Sequence, residues 1–181
     1  MWLKILIGIA VIILIFVVVV ALRPSAFRYV RSINIAAPPQ TVFAQVNDFH
    51  RWTGWSPWEK MDPDLKRTYE GPSSGVGSVY KWVGNNKVGE GIMTIERSDA
   101  PSNIGIKLVF IKPFAATNAA NFTFTPAGGG TDVTWSMEGQ YNFMAKAMGL
   151  FMDFDKMVGA DFEKGLASMK SLCESSANAV N

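Results

Sequence analysis

The chain has 181 residues, enough for one domain with a hydrophobic core plus a short accessory segment. Seventeen Lys and Arg residues against 15 acidic residues give a net charge of +2, and the two signs are interleaved along the sequence. A nucleic-acid-binding protein concentrates its basic residues to replace phosphate counterions, so this class is excluded. The single cysteine, Cys173, rules out an intrachain disulfide and is more typical of a small buried apolar group than of a reactive thiol.

The N-terminus contains an apolar run of 18 residues without a charge or a proline, from Ile5 to Leu22. With about 1.5 Å of rise per residue, such a helix spans most of a hydrocarbon core about 30 Å thick. A cleaved signal peptide has a shorter apolar run, of about 7–15 residues, followed by a small-residue cleavage site. The residues after this run make a poor site. The sequence therefore predicts an uncleaved single-pass anchor over residues 1–24, in a bacterial-type inner membrane.

The basic residues that flank this run predict its orientation. Lys4 and the terminal amine precede it, whereas Arg23, Arg28 and Arg31 follow it. Lys and Arg close to a span favour the cytoplasmic side, so the C-terminal domain is expected in the cytoplasm.

Beyond Pro24 the pattern changes from continuous to alternating apolar residues. Residues 27–37 alternate with a period of two, which predicts a half-buried strand. In the next stretch Val42, Phe43 and Val46 share one helical face after two prolines, which is typical of a short helix.

Three tryptophans then fall within seven positions, beside the only histidine. Pro57 prevents a regular helix through all three. Ser56, Pro57 and Glu59 have the spacing of a capping box, which predicts that a second short helix starts there. At least two of the tryptophans are expected to be structural, although an aromatic contact with a membrane surface is an alternative. The tryptophans are Trp52, Trp55 and Trp58.

Six further strands are predicted before the C-terminal helix. The short spacings between them favour antiparallel meander pairing. Asn85, Asn86 and Lys87 separate two of them and indicate a hairpin turn, because asparagine tolerates a positive φ. The predicted strands cover residues 64–71, 75–84, 88–98, 103–112, 118–126 and 131–139.

The C-terminal region has the period of a long amphipathic helix. This helix is expected to cover one face of the sheet. Gly159 and Gly165 each cost about 1 kcal/mol relative to alanine inside a helix, which indicates either close packing or room for a ligand. A short methionine-rich amphipathic stretch, residues 142–152, precedes it. The apolar face consists of Phe151, Phe154, Val158, Phe162, Leu166, Met169 and Leu172.

This order of elements resembles the START-like (SRPBCC) superfamily, in particular its polyketide cyclase/dehydrase and lipid-transport branch. The resemblance runs from Tyr29 to Leu172 and implies an α+β helix-grip fold, in which a seven-stranded antiparallel sheet curls around a long C-terminal helix and leaves an apolar cavity. Residues 25–175 are then the helix-grip domain and residues 176–181 a disordered tail. The motifs that carry the resemblance are residues 31–58, 75–82, 89–96, 130–139 and 162–170.

If the cavity that the resemblance implies is present, strand and helix phase predict its lining. The excess of large aromatic side chains fits the wall of a pocket, and a filled core is the alternative. The predicted lining is Tyr80, Trp82, Ile95, Leu108, Phe110, Phe122, Phe124, Trp135, Met137, Phe154, Val158 and Phe162, with Trp55 at the mouth.

The sequence offers little chemistry beyond binding. One histidine and one cysteine, far apart, do not form a metal-binding motif, and the glycine-rich segments lack the context of a phosphate loop. Glu90 and Glu138 are expected to face solvent, and His50 to form a structural hydrogen bond. No catalytic residue, metal or cofactor is predicted.

Three functions follow from these observations. The first is a membrane-tethered binding module that holds an apolar small molecule or a lipid. The second is a cyclase- or dehydratase-like enzyme acting on a polyketide or aromatic substrate, which requires an ionisable group inside the cavity. The third is an envelope-associated interaction protein without a ligand.

Overall fold

The computed structural model describes residues 1–178 and contains one antiparallel sheet of seven strands between an N-terminal and a C-terminal helix. The strand order β1-β7-β6-β5-β4-β3-β2 confirms the predicted helix-grip fold. The elements are α1 (Trp2–Leu22), β1 (Ala26–Ile35), α2 (Pro39–Asn47), two 3-10 helices (Phe49–Gly54 and Pro57–Lys60), β2 (Lys66–Glu70), β3 (Val79–Val83), β4 (Glu90–Asp99), β5 (Asn103–Lys112), β6 (Ala116–Ala127), β7 (Gly130–Gln140), α3 (Phe143–Met148) and α4 (Phe154–Asn178).

Helix α1 has 21 residues, and almost all of its apolar side chains are exposed. Its length and composition suit either a membrane span or a signal sequence. Its last turn packs beside α3, where Val20 is fully buried and the Lys146 Nζ donates to the Ala21 carbonyl at 3.2 Å.

The sheet has two distinguishable ends. At one end α1 joins β1, and β1 pairs with β7 from Ala26 opposite Gln140 to Ile35 opposite Thr131. We call the end that carries α1 the anchor end and the opposite end the far end. At the anchor end lie Ala26, Gln140, Ala116, Lys112, Glu90 and Val83.

Helix α4 packs most closely against β1, and its first glycine makes room for an arginine. Arg31 points inward from β1, and its guanidinium group bonds Asp155 at 3.2 Å and Glu163 at 2.8 Å. A Cβ at Gly159 would lie 1.8 Å from a guanidinium nitrogen of Arg31. Close packing, rather than room for a ligand, therefore accounts for this glycine.

The second glycine of α4 also serves packing. A Cβ at Gly165 would lie 3.0 Å from the Trp135 ring and 3.1 Å from Pro57. The helix begins at Phe154 instead of Phe151, because Asp153 accepts a hydrogen bond from the Lys156 amide at 3.0 Å and starts the first turn there. It continues to Asn178, so residues 179–181 of the predicted tail lie outside the described residues.

The predicted second short helix and the β3–β4 hairpin are both present, but two details differ from the predictions. Ser56 precedes the second 3-10 helix without making a side-chain cap, and the Glu59 carboxylate bonds Arg67 and Tyr80 instead of the backbone. In the β3–β4 hairpin the residue with positive φ is Gly89, at 71°, and not an asparagine. Its carbonyl accepts from the Gly84 amide at 2.8 Å and closes a longer loop than the sequence indicated.

Candidate functional site

The inner face of the sheet, which α4 covers, is tightly packed in its far half. The Trp135 and Phe162 rings stack 4.0 Å apart with an angle of 3° between their planes, and Phe122 stacks on Trp135 at 4.9 Å. The structure packs six of the predicted lining residues in the far half and the middle of this face, each at most 3% exposed. They are Trp55, Ile95, Phe122, Phe124, Trp135 and Phe162.

The tryptophan cluster belongs to this packed half. The indole N–H groups of Trp52 and Trp55 donate to the carbonyls of Val46 and Gln45, each at 3.0 Å. Trp55, predicted at the cavity mouth, is 1% exposed and instead lies in the core. The prediction that at least two of the three tryptophans are structural is therefore confirmed.

The anchor end of the inner face is covered less completely. Among the described residues, the buried apolar side chains with the largest remaining exposure all lie there: Trp82 at 7%, Met93 and Met137 at 8%, and Leu108 at 9%. Met93 and Leu108 are cross-strand partners, so these side chains form a continuous surface. We call the following set the open end: Trp82, Met93, Leu108, Phe110, Met137, Phe154 and Val158.

Trp82 is held as one wall of the open end. Its indole N–H donates to the Val88 carbonyl at 3.2 Å, and the Phe110 ring meets it edge-on at 6.0 Å. The indole lies directly over Gly91, where a Cβ would come within 2.4 Å of the ring. A side chain at position 91 would therefore displace this wall.

Asn118 adds one polar group to this apolar surface. It is 8% exposed, and its Oδ1 has no hydrogen-bond partner among the described residues. Its Nδ2 reaches the Met137 Sδ at 4.0 Å, and its cross-strand partner is Leu108. An unpaired buried acceptor costs about 1–3 kcal/mol, which a ligand bearing a hydrogen-bond donor would recover. The sequence reasoning missed Asn118, although it has the same phase as Phe122 and Phe124.

A buried carboxylate lies beside the inner face, next to β3. The Glu59 side chain is 5% exposed, and its two oxygens accept hydrogen bonds from the Tyr80 hydroxyl and the Arg67 Nε, both at 2.5 Å. Burial, and then the bond to Glu59, raise the pKa of Tyr80. Sequence reasoning missed this cluster because it assigned Glu59 to a helix cap.

The other acidic and histidine candidates lie outside the inner face. Glu138 is 54% exposed, and Glu90 points outward and bonds Lys112 at 2.7 Å, as predicted. The His50 ring, which is 52% exposed, is 2.9 Å from Asp48. Within residues 1–178, no group of three His, Cys, Asp or Glu side chains is arranged to hold a metal ion.

A groove of about 580 Å³ lies between the end of α1 and the start of α4. Its lining includes Arg23, Leu150, Phe151 and Phe154, so it meets the open end at Phe154. A second, shallower groove of about 770 Å³ lies across β1 and β4–β7, and residues such as Lys107 from the outer face of the sheet line it.

Comparison with known proteins identifies the family. The sequence pattern of the family described as polyketide cyclase / dehydrase and lipid transport matches residues 26–174. The chain belongs to this family. The match covers the helix-grip part of the chain and leaves out α1. A search of curated proteins finds no match.

Solved structures with the same fold confirm the architecture of this family member. The di-domain ARO/CYC protein StfQ of the steffimycin biosynthetic pathway gives a TM-score of 0.62 at 10% identity, over 85% of this chain and 52% of its own. A protein of unknown function from Staphylococcus aureus gives a TM-score of 0.61 at 10% identity, over 86% of this chain and 98% of its own. The Aha1 dimer from Colwellia psychrerythraea gives a TM-score of 0.58 at 14% identity, over 82% of this chain and 96% of its own. At these identities the likeness concerns the fold alone.

Proposed function

We propose that this protein is a membrane-tethered binding module that holds an apolar small molecule or a lipid at the open end. The observation that carries this proposal is that the inner face keeps its largest apolar exposure at one end, around an amide oxygen that has no hydrogen-bond partner among the described residues. Trp82, Leu108 and Met137 supply the apolar surface, and Asn118 supplies the polar contact. An apolar surface with a few placed polar groups is the usual composition of a small-molecule site.

The tether supports the same function. Helix α1 is long and apolar enough to cross a bilayer, and β1 follows it after a few residues. The flanking Arg23, Arg28 and Arg31 favour a cytoplasmic position for the domain. A bilayer next to the open end would then be the reservoir from which an apolar ligand is taken.

The test uses the full chain purified in a mild detergent. Native mass spectrometry and solvent extraction are expected to detect a bound apolar molecule. Leu108→Trp, which fills the open end, is expected to abolish its retention, whereas Lys107→Trp on the outer face of the same strand leaves it unchanged. A wild-type chain without any bound molecule, or equal retention by both variants, contradicts the proposal.

A cyclase-like enzyme is the second candidate, and the Tyr80–Glu59 pair favours it. The Tyr80 hydroxyl is buried beside Met93 and donates its one proton to Glu59 at 2.5 Å, so a substrate carbonyl would have to replace Glu59 as the acceptor of this hydrogen bond. Tyr80→Phe distinguishes the two functions. A binding module retains its ligand after this change, whereas an enzyme that uses Tyr80 loses turnover of a polyketide substrate while still binding it.

A further inference from the structure

Exposed apolar side chains are distributed unevenly over the domain. Among the described residues that follow α1, the exposed large hydrophobic residues lie at the anchor end, with the one exception of Val76 in the β2–β3 connection at the far end of the sheet. They come from the ends of β3 and β5, the β5–β6 turn, the β7–α4 connection and the first turn of α4. They are Val83, Ile111, Phe114, Phe143, Met144, Leu150, Phe151, Met152 and Met157.

Contacts between α3 and α1 fix the position of this apolar surface along the axis of α1. Helix α3 packs against the last turn of α1, where Val20 is fully buried and Lys146 bonds the Ala21 carbonyl at 3.2 Å. The segment that follows α3 carries Phe151, which is 82% exposed. If α1 spans a bilayer, α3 lies where that helix leaves the hydrocarbon.

We propose that the anchor end of the domain rests in the headgroup layer of the bilayer, with Phe151 and Phe114 as its main insertions. This inference rests on the proposed membrane tether. Contiguous exposed apolar side chains are characteristic of a membrane or protein contact, and apolar groups at a bilayer surface enter it by about 5–10 Å.

A lipid surface fits better than a second protein because the apolar surface is continuous with α1. Arg23 and Lys146 lie at the junction, where their charged groups reach phosphate headgroups while their stems stay apolar. The bilayer is held next to this surface by the tether itself, whereas a protein partner would have to displace it.

This placement gives the open end a direct route to the membrane. The groove of about 580 Å³ is lined by Phe151 on the membrane side and by Phe154 on the side of the open end. This groove gives an apolar ligand a path from the bilayer toward Leu108 and Met137, with charged side chains such as Lys146 and Asp153 also in its wall. The methionines of the segment, Met144 and Met152, supply deformable side chains along this route.

The experiment places nitroxide labels on the full chain in vesicles of phosphatidylcholine and phosphatidylglycerol. Single cysteines replace Phe151, Phe114, Ile13 of α1 and Val76. Val76 is the matched control, because it is 57% exposed, as Phe114 is, but lies beyond the far end of the sheet. Cys173 is fully buried, so the unaltered chain shows the background labelling.

Power saturation with oxygen, which partitions into lipid, and with a water-soluble nickel chelate reports the depth of each label. We expect the labels at 151 and 114 to be relaxed more by oxygen, and the label at 76 more by the chelate. If the chelate relaxes the labels at 151 and 114 more than oxygen does, while oxygen relaxes the label at 13 more, this inference is overturned and the membrane tether stands. A chelate-accessible label at 13 overturns the tether and therefore both proposals. Spin–spin broadening at 151 with loss of both accessibilities indicates a second copy and overturns the lipid assignment.

Discussion

Two halves of one interior, under the same helix, differ in how completely they are packed. In the far half Phe162 is 2% exposed and stacks on Trp135, whereas Phe154, two turns earlier on the same face of α4, is only half-buried. The far half binds the helix to the sheet. The anchor half keeps apolar surface that the fold itself does not cover. In our proposal, stability and binding are therefore assigned to different ends of the same core.

The largest effect expected from this contrast is on stability. Phe162→Ala removes a fully packed ring and is expected to lower the free energy of unfolding by about 3–5 kcal/mol. Phe154→Ala removes the same side chain at the open end, where fewer neighbours enclose it, so its cost is expected to be below about 2 kcal/mol. Urea unfolding of the full chain in detergent, followed by tryptophan fluorescence, measures both.

Ligand retention should respond in the opposite order. Phe154→Ala is expected to reduce retention of a bound apolar molecule more than Phe162→Ala does under conditions where both variants stay folded. Equal losses of stability in the two variants would remove the distinction between the halves.

The Glu59 cluster lies beside the open end, because Tyr80 is the cross-strand partner of Met93. Tyr80→Phe leaves one oxygen of a carboxylate that is 5% exposed without its hydroxyl donor, so we expect a loss of about 1–3 kcal/mol. Repeating Tyr80→Phe in a Glu59→Gln chain tests the reason, because both chains compared then lack the Arg67–Glu59 ion pair and a neutral amide is less costly to leave unpaired. The loss caused by Tyr80→Phe is expected to be smaller in that chain, and an equal loss in both would mean that Tyr80 acts through packing instead of through this bond.

Gly159 tests whether α4 is fitted to the sheet by a charged side chain. Alanine favours a helix by about 1 kcal/mol over glycine, but here its methyl group would displace the Arg31 guanidinium from Asp155 and Glu163. We therefore expect Gly159→Ala to destabilise the wild-type chain and to stabilise the Arg31→Ala variant. A double-mutant cycle by urea unfolding measures a coupling of about 1–2 kcal/mol. Absence of coupling would show that Arg31 moves aside without cost.

The fold could be predicted from the sequence because periodicity is a local property. The alternation in β7 and the three-to-four-residue spacing in α4 determine which side chains face inward, and the structure agrees with both. Local pattern does not determine how far inward-facing side chains close on each other. Trp135 and Leu108 both point inward from their strands. Trp135 is 3% exposed and stacked on other rings, whereas Leu108 is 9% exposed at the open end.

The parts of the candidate site that were missed depend on long-range contacts. Glu59 had the spacing of a cap, but Arg67 and Tyr80, from the neighbouring strands, take both of its oxygens. Asn118 was recognisable in principle as a polar residue at an inward position of β6. Its lack of a partner became evident only when the neighbouring strands were in place.

The smallest effect concerns the packed half under alkaline conditions. Burial, and then the neighbouring Glu174, raise the pKa of the Cys173 thiol from 9.0 to about 11. The thiol therefore loses its proton at a lower pH in the unfolded chain than in the folded chain. The stability that this difference in pKa contributes is present below pH 9.0 and is lost as the pH rises toward about 11. Between about pH 8 and about pH 9.5 the wild-type chain is expected to lose about 1 kcal/mol more stability than Cys173→Ala, which lacks the titrating group. Tyr29 and Tyr80, whose pKa values are also raised, contribute equally to both chains and cancel in the comparison. Identical pH profiles of the two chains would mean that the thiol exchanges with solvent and that the far half is less tightly closed than its burial indicates.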